Sequence, residues 1–145
     1  MSSSPIPATI AVVIRNSQTL LVRRANPPDA GMWGFPGGKI EFGETVKDAA
    51  IRELLEETGI HAEAQDILTT LDVLVQDPDG GVHQHYILIA VQCRWISGEP
   101  VPGDDALEAR WFPIADLDPS TLAMSIDVDV IARRAQAMAS NLGDT

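Results

Sequence analysis

Gly38-Lys39-Ile40-Glu41-Phe42-Gly43-Glu44, followed after seven residues by Arg52-Glu53-Leu54-Leu55-Glu56-Glu57-Thr58-Gly59-Ile60, is the stretch whose reading decides the fold. From Glu44 to Thr58 the pattern is helical. Thr45 is a good N-cap, and Asp48 stands three residues on, where an acid favours a helix start. Gly59 sits where a left-handed residue ends a helix. Val46, Ala50, Ile51, Leu54 and Leu55 share one broad arc and are the face expected to pack on a sheet. Glu53, Glu56 and Glu57 are spaced so that a helix carries all three carboxylates on one side. Like charges at that spacing destabilise a helix, and a sequence selected for helix stability alone would avoid them. A hard divalent cation resolves the conflict, because Mg²⁺ or Mn²⁺ takes carboxylate oxygens together with waters and substrate phosphates. The Gly37-Gly38 pair lets backbone approach the same helix edge, where a carbonyl of Gly38 adds another hard oxygen. Arg52 is expected to pair with Glu44 and hold the loop against the helix.

Outward from this segment, Ala8–Arg15 and Gln18–Arg24 read as apolar strands joined at Asn16-Ser17, a hairpin. Met1 to Pro7 reads as a loose terminus, and Ala25 to Gly38 as a Gly/Pro-rich loop with several sharp turns. After the helix, Ile67–Val75 and His85–Trp95 are predicted strands around the turn Asp77-Pro78-Asp79-Gly80-Gly81. Ser97 to Asp105 is a second loop, Arg110–Pro113 a short strand, and Ile114–Leu117 a helical turn. Asp127 to Asn141 is predicted to be an amphipathic helix with Val128, Ile131, Ala135 and Met138 on one stripe. Strands and helices mix without a regular βαβ alternation, which favours α+β, or a mixed-sheet sandwich, over a doubly wound fold.

The length, 145 residues, is that of one domain, and we read 1–145 as such. Ten Lys and Arg against 21 Asp and Glu give a net charge of −11, with Lys39 and Lys47 the only lysines. Such a surface repels phosphate backbones and argues against nucleic-acid binding. A small phosphorylated ligand stays compatible where divalent cations bridge it to carboxylates. The apolar run Ala8–Ile14 is too short for a bilayer and has nothing basic before it, so neither a membrane span nor a secretory signal is expected. A lone Cys93 excludes an intramolecular disulfide framework, and a cytoplasmic location is expected.

Written as G-x5-E-x7-R-E-U-x-E-E-x-G-U, with U aliphatic, the segment Gly38–Ile60 resembles the Nudix box at every specified position. Arg23-Arg24 at a strand end and Gly34-Phe35-Pro36-Gly37-Gly38 resemble the run that precedes the box in that family. The resemblance implies an α/β/α sandwich on a central mixed sheet. It also implies hydrolysis of a diphosphate linked to another moiety, with Mg²⁺ as cofactor or Mn²⁺ in its place. Position by position, it makes Glu53 and Glu57 the principal metal ligands with the Gly38 carbonyl, Glu56 a further ligand or base, and Glu44 with Arg52 the orienting pair. The base is either a box glutamate or a loop acid, Asp104 or Asp105, with Glu108 a weaker candidate. The chain resembles small bacterial ADP-ribose pyrophosphatases, which implies cleavage of ADP-ribose to AMP and ribose 5-phosphate. The alternatives are an (oxidised) nucleoside triphosphate pyrophosphohydrolase and a non-catalytic nucleotide-sensing module. Leu74 and Gln76 stand where a proline and a tyrosine mark particular subgroups, so neither marker is present. A homodimer is compatible with this reading.

Outside the box, Arg24 and Arg23 are the candidates for substrate phosphate, and as strand neighbours one points to the cleft while the other points away. Asp104 and Asp105 are candidates for substrate hydroxyls. Trp33 and Phe35 either stack on a base or pack, while Trp95 and Trp111 are assigned to packing. His83 and His85 alternate on a strand without other soft ligands nearby in sequence, and Cys93 is expected to be an inert buried thiol.

Overall fold

The computed structural model describes residues 4–141. Its elements are β1 (Ile6–Arg15), β2 (Gln18–Arg24), β3 (Trp33–Gly34), β4 (Gly37–Lys39), α1 (Val46–Thr58), β5 (His61–Gln76), β6 (Val82–Ser97), β7 (Ala106–Pro113), a 3₁₀ turn at Ile114–Asp116, and α2 (Val128–Asn141). Among the described residues, the strands form one sheet in the order β3-β2-β1-β6-β5, with β4 paired to β1 and β7 to β2. β1 and β6 run parallel and the other pairs antiparallel, so the sheet is mixed.

Successive strand residues face opposite sides of a sheet. Ala11 and Val13 of β1 therefore pack with Ala50, Leu54 and Ile60 on the α1 side. Val12 and Ile14 pack with Ile131 and Ala135 of α2 on the other. A strand covered on both faces reads as a continuous apolar run, which is why β1 shows no alternation. The result is the expected α+β, α/β/α sandwich. Cys93 lies in the α1-side core, where burial pushes its thiol up to about 12.

The β1–β2 hairpin forms as expected. Asn16 and Ser17 both adopt positive φ, 51° and 63°, the turn geometry whose twist matches two antiparallel strands. Several boundaries differ from the sequence reading. Ile6 and Pro7 are part of β1, opposite Tyr86 and Ile87 of β6, a parallel partner distant in sequence. β5 and β6 are both longer than their alternation indicated: register shifts between Ala64 and Thr69 interrupt the period of β5, and shifts at His61/Ala62 and Val75/Gln76 lie opposite the ends of β6. β7 begins at Ala106, and the loop read over Ala25–Gly38 contains β3 and β4, too short to carry a pattern.

α1 is capped as its sequence dictates. The Asp48 N–H donates to Thr45 Oγ1 at 3.1 Å, and Gly59 takes φ 72° while its N–H donates to the Leu55 carbonyl. Four of the five residues of the expected face, Val46, Ala50, Ile51 and Leu54, pack in the α1-side core, and Leu55 does not. Ala49, Ala50, Leu54, Glu57 and Thr58 are buried, whereas Leu55 is 43% exposed. The helix packs against the Gly37–Gly38 backbone as well as the apolar sheet, and that turns Glu57 inward. Leu54→Ala should therefore cost about 2–5 kcal/mol of unfolding free energy. Leu55→Ala should stay within about 1 kcal/mol. Denaturant titration of both variants checks this, and equal losses would contradict the observed face.

Candidate active site

The site is built on a close backbone approach. A Cβ at Gly37 would run into the Thr9 carbonyl oxygen, and one at Gly38 would lie 2.7 Å from the Glu53 carboxylate. Only glycine lets β4 sit this close to β1 and α1. In return the Gly37 N–H donates to Glu57 Oε2 at 2.9 Å. Glu57 is 9% exposed. Burial, and next the neighbouring Glu53 charge, push its carboxyl up to about 8.

Arg52 organises the remaining acids. Its Nε donates to Glu44 Oε2 at 2.6 Å and its Nη2 to Glu44 Oε1 at 2.9 Å, a two-pronged pairing. Nη1 donates to Glu53 Oε1 at 2.7 Å and to Glu56 Oε2 at 3.4 Å, and Nη2 also reaches the Lys39 carbonyl at 3.2 Å. The hydrogen bond from Arg52 holds the Glu44 carboxyl below the usual carboxylate range. Glu44 first, and then Glu53, hold the Arg52 guanidinium above its ordinary value. Glu44 Oε1 accepts a further bond from the Glu41 N–H at 3.1 Å, so loop 39–44 is tied to α1 by the expected pair.

A cleft of about 640 Å³ opens beside this network. Gly38, Glu53 and Glu57 line it, with Arg24, Phe35, Asp104 and Asp105. Of the expected metal set Gly38, Glu53, Glu56 and Glu57, three members line the cleft. Glu56 does not line the cleft and leans to Arg52. Among the described residues, no three His, Cys, Asp or Glu side chains are gathered as a ready metal site. Glu53 and Glu56 accept from Arg52 and Glu57 accepts from the Gly37 N–H, while Glu53 and Glu57 stay close neighbours. The donors that do share the cleft are hard oxygens, and the Gly38 backbone is open to them, so the residues fit a cation such as Mg²⁺ or Mn²⁺.

Arg24 points into the cleft and its Nε donates to the Pro28 carbonyl at 2.8 Å. Arg23 does not line it: its Nε donates to Glu108 Oε1 at 2.8 Å on the outside, as strand alternation requires, and this occupies Glu108 too. Phe35 is buried between the cleft and the α2-side core. Trp33 is a packing residue, edge-on to Phe112 at 4.8 Å with Arg110 over its ring. His83 and His85 pair with Asp77 and Asp72. Lys39, Tyr86, Leu88, Ser125 and Ile126 also line the cleft and were not read from sequence as site residues. Tyr86 and Leu88 are alternate residues of β6, a visible signal once the strand face is known. Ser125 had none, for its segment reaches the cleft by main-chain bonds to Trp33.

A glycine loop and a capped helix that turn carboxylates into a cleft beside a mixed sheet define the class of protein. The NUDIX domain model matches residues 5–133, and the chain belongs to the NUDIX family. An ADP-ribose pyrophosphatase of Methanocaldococcus jannaschii is 36% identical over 113 residues, covering 78% of this chain and 64% of that one, just under two thirds of the relative's length. The crystal structure of a MutT NUDIX hydrolase from Burkholderia pseudomallei superposes with a TM-score of 0.78 at 27% identity, over 91% of this chain and 98% of that one. The NUDIX domain of Shewanella oneidensis NrtR, solved in complex with ADP ribose, shares the fold with a TM-score of 0.74 at 21% identity, over 94% and 90% of the two chains.

Glu57 generates a pH prediction for the chain in chelator. Its folded carboxyl lies above the ordinary value of 4.5, at about 8, so its contribution to stability is complete below about pH 4.5 and is lost as pH rises through about 8. Glu57→Gln stays neutral and keeps an acceptor for the Gly37 N–H. Its melting temperature should therefore gain on the wild type steadily across that window, and a pH-independent difference would refute the assignment.

Proposed function

We propose that the chain is a divalent-cation-dependent pyrophosphohydrolase acting on a nucleoside diphosphate derivative, with ADP-ribose cleaved to AMP and ribose 5-phosphate. The observation that carries this is a single cleft joining Glu53, Glu57 and Gly38 to Arg24 and to an apolar wall of Leu71, Tyr86 and Leu88. Glu53, Glu57 and the Gly38 carbonyl would hold the cation, Mg²⁺ or Mn²⁺ in its place, with Glu56 as a further ligand or base. When bound, it shields diphosphate charge and lowers the pKa of an attacking water. Arg52 and Glu44 keep loop 39–44 seated on α1. Arg24, aimed by the Pro28 carbonyl, takes a phosphate oxygen. Asp104 or Asp105 accepts the terminal ribose hydroxyls or takes the proton of the water. The nucleoside lies on the apolar wall, with Phe35 beneath it.

The substrate follows from what lies past the diphosphate. Asp104 and Asp105 suit sugar hydroxyls and would repel a free γ-phosphate. The relative named ADP-ribose pyrophosphatase supports the same choice. The charge of −11 disfavours nucleic acid as a substrate. Among the described residues no helix is long and apolar enough to cross a membrane, and a cytoplasmic location is part of the proposal.

Removal of divalent cations with EDTA should abolish hydrolysis, and Mg²⁺ or Mn²⁺ should restore it; full activity in cation-free buffer would refute the reading. Glu57→Gln should lower kcat by at least ~10²-fold, the scale of a lost electrostatic contribution. Arg52→Lys keeps charge but loses the fork to Glu44, so it should impair kcat while leaving the helix folded by circular dichroism. Comparing kcat/KM for ADP-ribose, dGTP and 8-oxo-dGTP decides the substrate. A preference above ~10²-fold for either triphosphate, about 2.7 kcal/mol in transition-state binding, would overturn ADP-ribose.

A further inference from the structure

Residues 98–105 form a strap over the C-terminal end of α1. The Val101 N–H donates to the Thr58 carbonyl and the Gly103 N–H to the Glu57 carbonyl, each at 2.9 Å. A helix leaves its last carbonyls without intrahelical donors, and the strap supplies them. It lies so close that a Cβ at Gly103 would sit 2.7 Å from the Glu56 carbonyl oxygen. Beyond that contact the chain turns sharply. The Ala106 N–H donates to the Gly103 carbonyl at 3.0 Å, and Asp104 takes φ 53°. Asp104 and Asp105 thus occupy the middle of a tight turn that faces the cleft. On its far side the Asp105 carbonyl accepts from the Ala25 N–H at 3.1 Å, one residue past Arg24.

The strap is also fixed at its start. Trp95 Nε1 donates to the Gly98 carbonyl at 3.0 Å, and the Arg15 guanidinium lies 3.7 Å above the Trp95 ring while pairing with Glu99 at 3.2 Å. The ion pair is exposed and weak on its own. The main-chain bonds to Thr58, Glu57 and Ala25 carry the placement.

We infer that the turn Gly103–Ala106 is a backbone bridge that sets the separation of Glu57 from Arg24, and that Gly103 is the positioning residue that seats it. The inference deepens the pyrophosphohydrolase reading and rests on it. Glu57 belongs to α1 and Arg24 ends β2, so a diphosphate held between them depends on how two separate elements are spaced. The bridge joins the peptide of the one to the peptide following the other. A displacement of about 1 Å in such a constellation is enough to cost ~10²-fold in rate.

Gly103→Ala is the test, with Val101→Ala as control, because Val101 has an exposed side chain and the control keeps its N–H. On ADP-ribose with Mg²⁺, Gly103→Ala should lower kcat at least ~10-fold and raise KM at least ~3-fold, with Val101→Ala unchanged in both. A merely destabilised fold reduces the active fraction and leaves KM alone. A folded Gly103→Ala with wild-type kcat and KM overturns the bridge. If the wild type hydrolyses nothing in the panel, the pyrophosphohydrolase reading fails first, and affinity for inorganic pyrophosphate with Mg²⁺, which engages both Arg24 and the Glu57 side of the cleft, then reads the bridge. A loss of ~10-fold or more in Gly103→Ala supports it, and equal affinity overturns it. If Gly103→Ala does not fold, amide exchange on the wild type replaces it. Slowing of Ala25, Val101 and Gly103 together on addition of AMP and Mg²⁺ supports the bridge, and slowing at Ala25 without the strap amides overturns it.

Discussion

The hydrogen bond from the Gly37 N–H to Glu57 Oε2 is the constraint on which the rest of the site depends. It requires β4 to press against β1 and α1 at once, which only the glycines permit, since a Cβ at either would collide with Thr9 or Glu53. It also requires a carboxylate to be buried, and burial raises the cost of its charge. A helix rolled by one position would bury Leu55 and expose Glu57. The observed roll keeps Val46, Ala50, Ile51 and Leu54 packed, leaves Leu55 exposed and buries Glu57.

Around that buried acid, one guanidinium balances the others. Arg52 serves Glu44 with two donors and shares a third nitrogen between Glu53 and Glu56. An ammonium would offer no planar fork to do this. The same residue reaches the Lys39 carbonyl, so one side chain ties the loop, the helix and the acids together. The helix tolerates its three acids because Arg52 meets the Glu53 and Glu56 carboxylates while burial favours the neutral form of Glu57. A hard cation entering at Glu53 and Glu57 would take over part of that work.

How much was legible in the chain varies by element, for physical reasons. The capped helix, the hairpin at Asn16-Ser17 and the Glu44–Arg52 pair depend on residues close in sequence, and each appeared where its side chains predicted. β3 and β4, at two and three residues, are too short to show any period. The long β5 and β6 were legible only in part, because bulges shift their alternation midway. Arg23 and Arg24 were distinguishable as a pair pointing opposite ways, but which one faces the cleft depends on how β2 sits in the sheet, which leaves Arg24 in the cleft and Arg23 outside beside Glu108.

The sequence by itself determined the family, the acids and glycines of the box, and the sandwich class, because each is written in short-range spacing and residue chemistry. The tertiary structure alone decided that Leu55 is exposed and Glu57 buried on α1, that Glu56 lies outside the cleft lining beside Arg52, and that Ser125 and Ile126 enter it. It alone decided, too, that residues 98–105 cap the helix end through main-chain donors. Main-chain hydrogen bonds carry no side-chain signature, and contacts between segments distant in the chain depend on the sheet order that brings them together. Those are the features that a linear string cannot display.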